Sequence, residues 1–345
     1  MSFPSTNFGF KRFLGVTLLT FASAYAVIWL WVIAAPMAYQ EYDYSIWLAK
    51  MTLLKEDQLG GLVIIGDSNP CAALLPERLG PGVVNLGLPT GTPLEVFHVA
   101  RKLIASQTHP KAVLISILPS NFINSEHFWD VCVNYGFLNG HDLEELRSES
   151  RVLGDASVVG PESPGDIDVR LKSLLYLIKF PSFYFPALVN AHGYGRYRFN
   201  ESRLKLVLAN RGQSYFGTDN GSTGLDKEAA LKSFVPSKIL DDYFNQTLAL
   251  FQSQKIPVYF VAMPHNEASV SHYYPGLKAA FTSYLDQYAG RYTNFHVIGD
   301  TLPTYPSQDF GDPWHLNAKG AARWSDSMVK LLNDSHVEGG PFGAD

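Results

Sequence analysis

The sequence predicts an α/β fold in three layers, a doubly wound parallel sheet of five strands that carries an N-terminal transmembrane helix and a helical insert. Short apolar runs rich in β-branched residues alternate with segments of helical periodicity, the pattern of repeated strand and helix units. One long uncharged stretch lies near the N-terminus. A single segment, residues 125–235, breaks the alternation between the third and fourth strands.

The composition narrows the class of protein before any motif is considered. The 345 residues are 46% hydrophobic and only 17% charged, which excludes a disordered chain. Lys and Arg number 27 against 32 Asp and Glu, and the resulting net charge of -5 argues against a nucleic-acid partner. Two cysteines are too few for a disulfide scaffold or a Cys-rich zinc module.

The uncharged stretch covers 28 residues, 13–40, with Lys11 and Arg12 before it and Glu41 and Asp43 after it. As a helix, this stretch is long enough to cross a hydrocarbon core of about 30 Å. Positive residues on its N-terminal side and acidic residues on the other predict a cytoplasmic N-terminus, with the rest of the chain across the membrane.

The N-terminal region therefore divides into a cytoplasmic tail (1–12), a transmembrane anchor (13–35) and a linker (36–60). The alternative for the apolar stretch is a cleaved signal peptide, because Ala22-Ser23-Ala24 and Ala24-Tyr25-Ala26 resemble cleavage sites. The apolar run continues well past both sites, which favours a retained anchor. In either case we expect the remaining chain to be extracytoplasmic.

Five apolar runs provide the strands, and their continuous hydrophobicity suits a parallel sheet covered on both faces. These runs are Leu62–Ile65, Val83–Leu86, Ala112–Ile117, Val258–Ala262 and Phe295–Ile298. One helix begins at Thr92-Pro93-Leu94-Glu95, which combines an N-cap, a proline at the first helical position and an acidic residue three positions later. Apolar residues at helical spacing mark three more helices, at 239–251, 277–288 and 321–332. The domain thus covers 61–333, followed by a tail, 334–345.

The insert, 125–235, contains a polar piece rich in Gly and Pro (154–168) and then an aromatic piece (174–185). One interpretation is a helical cap packed on the main domain. The other is a surface that rests on the bilayer or on a membrane partner, because aromatic residues with single lysines suit an interface.

Polar residues follow the predicted strands at the edge where a doubly wound sheet binds its ligands. Ser68 follows the first strand in Gly66-Asp67-Ser68-Asn69-Pro70 and is a candidate nucleophile that needs a base within hydrogen-bond reach. Gly87 follows the second strand, where its N–H could serve an oxyanion hole, and Asn121 follows the third, where its amide could do the same. A helix cap, a tight turn and an ordinary loop are the respective alternatives.

The segment Asp312-Pro313-Trp314-His315-Leu316-Asn317 follows the fifth strand, just before a helix. An aspartate three residues before a histidine can hold one imidazole nitrogen while the other nitrogen faces a serine. A surface turn with Asn317 as helix cap is the alternative. Because all these groups fall at carboxyl ends of predicted strands, we expect them to converge on one site.

Together these residues resemble the sequence blocks of the SGNH (GDSL-like) hydrolase superfamily: Gly66-Asp67-Ser68, Gly87, Asn121 and Asp312-x-x-His315, in this order within residues 61–333. The resemblance implies a flavodoxin-like strand order, 2-1-3-4-5. It also implies Ser68 as nucleophile, His315 as base and Asp312 as its orienting partner. The oxyanion hole would comprise the N–H groups of Ser68 and Gly87 and the side chain of Asn121. The third block departs from the usual Gly-x-Asn-Asp, because Pro119-Ser120-Asn121-Phe122 stands there.

Within the superfamily, the anchor, Asn85-Leu86-Gly87 and the segment from Asp312 to Gly320 look most like extracytoplasmic proteins of bacterial exopolysaccharide and cell-wall O-acylation. Examples are the alginate and cellulose acetylation proteins and the D-alanyl transfer protein of teichoic acids. The resemblance implies a single-pass inner-membrane protein with its catalytic domain in the periplasm. It also implies a polysaccharide acceptor and an acyl donor supplied through a membrane-bound O-acyltransferase.

The function expected from this resemblance is transfer of an acyl group, such as acetyl, to hydroxyls of an exopolysaccharide or cell-wall polymer through an acyl-serine. One alternative is a carbohydrate esterase or deacetylase, which would use the same residues with water as acceptor. Another is a non-catalytic scaffold of a polysaccharide synthesis and acylation complex, in which the aromatic insert does the binding.

The remaining candidates are weaker. Asn69, His265, Asn266 and Trp314 lie near the same edge and are candidates for contact with substrate, although a loop-capping role also fits His265 and Asn266. No His-Glu-x-x-His or comparable metal spacing occurs, so we expect no metal and no cofactor. Cys71 and Cys132 follow the first and third strands, where either a disulfide or two buried thiols would be consistent with the sequence.

Overall fold

A five-stranded parallel sheet forms the centre of the domain in the computed structural model, as predicted. Its strands are β1 (Leu62–Gly66), β2 (Val84–Asn85), β3 (Ala112–Ser116), β4 (Val258–Phe260) and β6 (Phe295–Val297). They lie in the order β2-β1-β3-β4-β6, and β5 (His265–Asn266) pairs separately with β7 (Thr304–Tyr305). The structure describes residues 7–55, 59, 61–106, 108–160 and 168–335. Residues 1–6 and 336–345 of the two predicted tails, and 161–167 of the polar piece, lie outside the described residues.

Helices cover both faces of the sheet, which gives the predicted three layers. Alternate residues of each strand point to opposite faces, so Val63 and Ile65 belong to one buried cluster and Leu62 and Ile64 to another. The helices before the insert are α1 (Asn7–Ala34), α2 (Pro36–Tyr39), α3 (Asp43–Leu53), α4 (Ser68–Ala73), α5 (Pro76–Leu79) and α6 (Pro93–Ile104). Those of the insert are α7 (Gly140–Leu153), α8 (Val169–Leu177), α9 (Pro181–Asn190) and α10 (Tyr197–Ala209). Those that follow are α11 (Lys238–Ser253), α12 (Glu267–Val270), α13 (Leu277–Arg291) and α14 (Ala318–Asp334).

Helix α1 contains the predicted anchor. Residues Gly9–Ala34 are long and apolar enough to cross a membrane, with a mean hydropathy of 2.0 over the most apolar part, and only 6% of that part is buried against the protein. An exposed apolar helix of this length is compatible with a single-pass membrane anchor.

Most of the predicted linker, 36–60, is helical, and its helices α2 and α3 fold against the domain. Tyr39 and Trp47 are fully buried, and the Tyr39 hydroxyl donates to the Val32 carbonyl at 2.7 Å. The apolar side chains that face the core recur at helical spacing through α3, but Lys50 interrupts the pattern. Lys50 is itself fully buried, so its ammonium group belongs to the core.

Lys50 joins three parts of the structure through its ammonium group. The Nζ atom donates to the carbonyl of Asn85 at 2.8 Å and to that of Gly212 in the insert, and lies 3.4 Å from Sγ of Cys71 in α4. Burial lowers the pKa of Lys50, while the neighbouring Cys71 raises it.

We expect Lys50→Met to destabilise the fold, because it leaves both carbonyls buried without this donor. Each unsatisfied buried acceptor costs about 1–3 kcal/mol, and chemical denaturation of the full chain in detergent will measure the loss. Lys205→Met is the matched control, since its ammonium is exposed and contacts only Glu201 within its own helix. Equal stability of the Lys50 and Lys205 variants would contradict the structural role of Lys50.

The two cysteines are not bonded to each other. Cys71 and Cys132 are both free and buried. Of the two states that the sequence leaves open, the structure thus has the buried thiols.

Candidate active site

The candidate nucleophile is held by a sharp turn at the end of β1. Gly66 has a φ of 147°, and a Cβ atom there would lie 1.8 Å from the carbonyl oxygen of Ser116, so only glycine fits. Asp67 then caps α4 by accepting from the N–H of Asn69 at 2.8 Å. Ser68 begins this helix at the carboxyl end of the sheet and is partly exposed.

The structure brings Ser68, His315 and Asp312 together although 247 positions separate the serine from the histidine. Nε2 of His315 lies 2.8 Å from Oγ of Ser68, and Nδ1 of the same ring lies 2.7 Å from Oδ2 of Asp312. This is the geometry in which a histidine takes a proton from a serine hydroxyl while a carboxylate fixes its tautomer.

Asp312 is positioned by the loop that it closes. Its Oδ1 accepts the backbone N–H groups of Trp314 and His315 at 2.8 and 2.7 Å, which leaves Oδ2 for the imidazole. Burial by itself raises the pKa of Asp312, but the hydrogen bonds and the charge of His315 outweigh it and hold the pKa below its ordinary value of 3.8. The pair therefore contributes stability above that pH, and the contribution is lost as the pH falls below it.

Asp67 links the loops after β1 and β3. Its Oδ2 accepts the N–H of Leu118 at 2.7 Å and the amide of Asn121 at 3.0 Å. Burial raises the pKa of Asp67 to about 6, against these hydrogen bonds, which lower it. Because the folded state binds this proton more tightly, the contribution of Asp67 to stability falls as the pH rises from about 4 to about 6.

The N–H of Gly87, the predicted oxyanion donor, already has an acceptor within the protein. Its N–H donates to Oδ1 of Asn85 at 3.0 Å, and the Asn85 amide is fixed by the carbonyls of Pro70 and Leu74. An asparagine two residues before a glycine readily closes such a turn, so the N–H is already used. The first-turn N–H of Ser68 has no acceptor within its helix. Asn121 keeps a second amide hydrogen beyond the one given to Asp67.

A late part of the insert, around Phe216, covers His315, which the sequence did not predict. The ring of Phe216 stacks on His315, with centroids 4.6 Å apart and planes at 30°. The backbone of Gly217 packs so closely on the catalytic loop that a Cβ would lie 2.2 Å from the carbonyl carbon of Gly311 and 2.5 Å from the N of Asp312. The only sequence signal is an aromatic pair, Tyr215-Phe216, beside a glycine.

We expect Gly217→Ala to slow ester turnover without unfolding the protein, because its methyl group overlaps the backbone of Gly311 and Asp312 and must displace the loop that positions His315. A displacement near 1 Å at a catalytic group costs about 10²-fold in rate. Gly221→Ala is the control, since a Cβ there meets nothing closer than 3.5 Å. The insert would have no positioning role if both variants turned over the ester at the wild-type rate.

A carboxylate of α3, Asp43, interacts electrostatically with His315. Asp43 begins α3, and burial raises its pKa, although the positive charges of Arg203 and His315 lower it. Arg203 donates to the carbonyl of Tyr215 at 2.9 Å, and its Nε is buried without a partner among the described residues. Sequence reasoning missed both because neither lies at a strand end.

The predicted substrate-binding residues separate into two groups. Trp314 lies beside His315, and its indole Nε1 has no partner among the described residues, as is true of the amide nitrogen of Asn69. His265 and Asn266 are buried and have hydrogen-bond partners within the protein, which fits the loop-capping alternative for Asn266. Asn266 caps α12, and its amide donates to the carbonyl of Ser222 at 2.7 Å.

His265 belongs to a buried cluster with Asp226 and Glu228, whose ligand-type atoms lie within 4.8 Å of one another. Residues of these types could hold a divalent cation, but hydrogen bonds already organise them. The hydroxyl of Tyr273 donates to the Asp226 carboxylate, and its oxygen lies 2.8 Å from Nδ1 of His265. Glu228 accepts the N–H of Ser120 at 3.1 Å. We therefore interpret the cluster as a polar network that supports the loop carrying Asn121.

Comparison with known proteins adds one match. A protein-family model for a domain of unknown function matches residues 226–336, which is 111 of the 345 residues. This portion includes Asp312 and His315 but not Ser68. The chain matches no curated protein.

Proposed function

We propose that this protein is a serine-dependent O-acyltransferase that is anchored in the bacterial inner membrane by α1 and acts in the periplasm on hydroxyls of an exopolysaccharide or cell-wall polymer. The observation that carries the proposal is the hydrogen-bonded chain from Ser68 through His315 to Asp312. Three side chains from opposite ends of the domain meet in the arrangement that activates a serine hydroxyl. The SGNH-like order of the motifs supports the same chemistry.

In the first half-reaction, Oγ of Ser68 attacks the acyl carbonyl while its proton passes to Nε2 of His315. The oxyanion that forms accepts hydrogen bonds from the Ser68 N–H and the free amide hydrogen of Asn121, each worth about 3 kcal/mol of barrier. The bond between the acyl carbon and the donor's leaving group then breaks, and the leaving group takes the proton from His315. The product is an acyl-serine.

In the second half-reaction, His315 takes the proton of an acceptor hydroxyl, whose oxygen attacks the acyl-serine. The ester bond to Oγ breaks and Ser68 recovers its proton. A cleft of about 390 Å³ near the loop that holds Asp312 includes the polar side chains of Thr218, Asn220, Gln308 and Lys319 in its lining, and neither Ser68 nor His315 lines it. Such groups can hydrogen-bond sugar hydroxyls, which supports a carbohydrate acceptor. Donor delivery by a membrane-bound O-acyltransferase is part of the proposal.

The test uses the full chain in lipid nanodiscs with p-nitrophenyl acetate as donor and a panel of neutral and uronic-acid oligosaccharides as acceptors. We expect an acetyl adduct on Ser68 by intact and peptide mass spectrometry, and acetylated sugar that accumulates at the expense of acetate. Turnover that is never diverted from water to any sugar would favour the esterase. Absence of both turnover and adduct would favour the non-catalytic scaffold.

A further inference from the structure

The insert carries exposed large apolar side chains, and two of them, Phe185 and Val189, lie beside α1. Large apolar side chains on and between α8, α9 and α10 are exposed, among them Leu174, Phe185, Val189 and Phe199. Phe185 is 53% exposed and Val189 is 58% exposed. Apolar surface of this extent on a folded domain marks a contact with another apolar phase.

Direct contacts fix the position of the insert along the axis of α1. The indole N–H of Trp29 donates to the carbonyl of Ile178 at 2.8 Å, and that of Trp31 donates to the carbonyl of Gly193 at 3.2 Å. The ring of Phe180 packs against the rings of Tyr25 and Trp29, with centroid distances of 5.8 and 5.7 Å. Tyr25 lies nine residues before the end of α1, so at 1.5 Å per residue Phe180 reaches about 13 Å below that end.

A groove of about 660 Å³ separates α1 from α9. Its walls are apolar side chains, including Val27, Leu30, Phe185 and Val189, and almost no polar atom is exposed to it. The indole of Trp31 donates to Gly193, which also lines the groove, so this end of the groove lies near the C-terminal end of α1. The lining is therefore apolar along its whole length, as a hydrocarbon chain requires.

We propose that helices α8 and α9 of the insert are immersed in the outer leaflet of the membrane and that the groove between α1 and α9 binds an acyl chain of a membrane lipid. This inference rests on the membrane anchoring in the proposed function, but not on the chemistry of Ser68. One wall of the groove is α1 itself, so the groove opens into whatever medium surrounds the anchor. In a bilayer that medium is hydrocarbon, which matches the lining and favours lipid over a protein partner.

The depth of the insert in the membrane is tested on the full chain in vesicles of phosphatidylethanolamine and phosphatidylglycerol. An environment-sensitive fluorophore is attached to the new thiol of the Phe185→Cys or Val189→Cys variant. The native thiols are buried, and unmutated protein measures any background labelling. We expect both labels to be quenched by doxyl-labelled lipid and protected from aqueous iodide. Val152→Cys is the aqueous control, because Val152 is 83% exposed on α7.

Leu19→Cys, on the exposed face of α1, reports the anchor separately. Quenching of the Leu19 label by doxyl lipid, together with quenching of the insert labels by iodide, would overturn the immersion of the insert and leave the anchor intact. If the Leu19 label were also quenched only by iodide, the anchoring itself would fail. Neither result depends on ester turnover, so the catalytic proposal is tested independently.

The groove is tested by native mass spectrometry of the full chain released from detergent. We expect a retained phospholipid on the unmutated protein and its loss in Val27→Trp, because the indole obstructs the groove at that position. Leu19→Trp places the same indole on α1 outside the groove lining and should keep the lipid. Equal retention by the Val27 and Leu19 variants would overturn the binding site.

Discussion

Replacement of Ser68 by alanine is expected to abolish ester turnover and the acetyl adduct. In a serine hydrolase with an intact oxyanion hole, loss of the nucleophile costs on the order of 10⁶ in kcat. The hydroxyl has one hydrogen bond in the structure, to Nε2 of His315, so its removal should change the free energy of unfolding by only about 1 kcal/mol. Steady-state kinetics and a denaturation curve on the same preparation measure both quantities.

The matched control for this experiment is Ser271→Ala. Ser271 is exposed, and its hydroxyl bonds only within its own turn and to the adjacent His272. We expect wild-type turnover from this variant. If the Ser68 variant kept most of the activity while folded, the nucleophile would have to be another residue and the proposed mechanism would fail.

Asp312→Asn should lower kcat by about 10⁴-fold while the loop stays in place. The asparagine oxygen can still accept the N–H groups of Trp314 and His315, as Oδ1 does now. Its NH₂ group, however, must donate to Nδ1 of His315, which moves the ring proton to Nε2. A protonated Nε2 cannot accept the proton of Ser68, so the base is lost although the geometry survives.

The kcat of this variant is measured with p-nitrophenyl acetate across a pH series. Because the pKa of Asp312 is held below 3.8, unmutated protein should not lose this carboxylate anywhere between pH 5 and pH 8. Asp326→Asn is the control, since Asp326 is exposed and pairs only with Arg78 in the structure. A drop of similar size in both variants would indicate general destabilisation rather than a change of tautomer.

The parts of the molecule that the sequence predicts are those in which one signal dominates. β1 is a continuous apolar run of four residues, Leu62–Ile65, and all four are buried, as a parallel strand covered on both faces requires. α6 has its N-cap, proline and acidic residue in the right positions, and Glu95 accepts the N–H of Thr92 at 2.8 Å. Ser68 and His315 meet because both follow strands at the same edge of the sheet.

The parts that the sequence does not predict depend on contacts between distant segments. Lys50 looks like a surface residue until the carbonyl of Gly212, in the insert, is brought to it. Gly87 looks like a free donor because the orientation of the Asn85 amide is set by α4 and not by its own strand. Phe216 lies in a segment with no periodicity. Its stacking on His315 depends on the path of the chain over the loop that holds Asp312, which the sequence does not reveal.

The absence of a flexible connection after α1 has a consequence for where the protein can act. A coil of 25 residues, the length of 36–60, would let the domain range over about 25–30 Å from the end of the anchor. Instead α2 begins two residues after α1 ends, and Tyr39 is bonded back to Val32. In the function that we propose, the reach of Ser68 is thus set by the dimensions of the domain, and its search for substrate is confined to a thin shell at the bilayer surface. An acceptor polymer would have to enter that shell, so the proposed acylation would be restricted to chains that emerge close to the membrane.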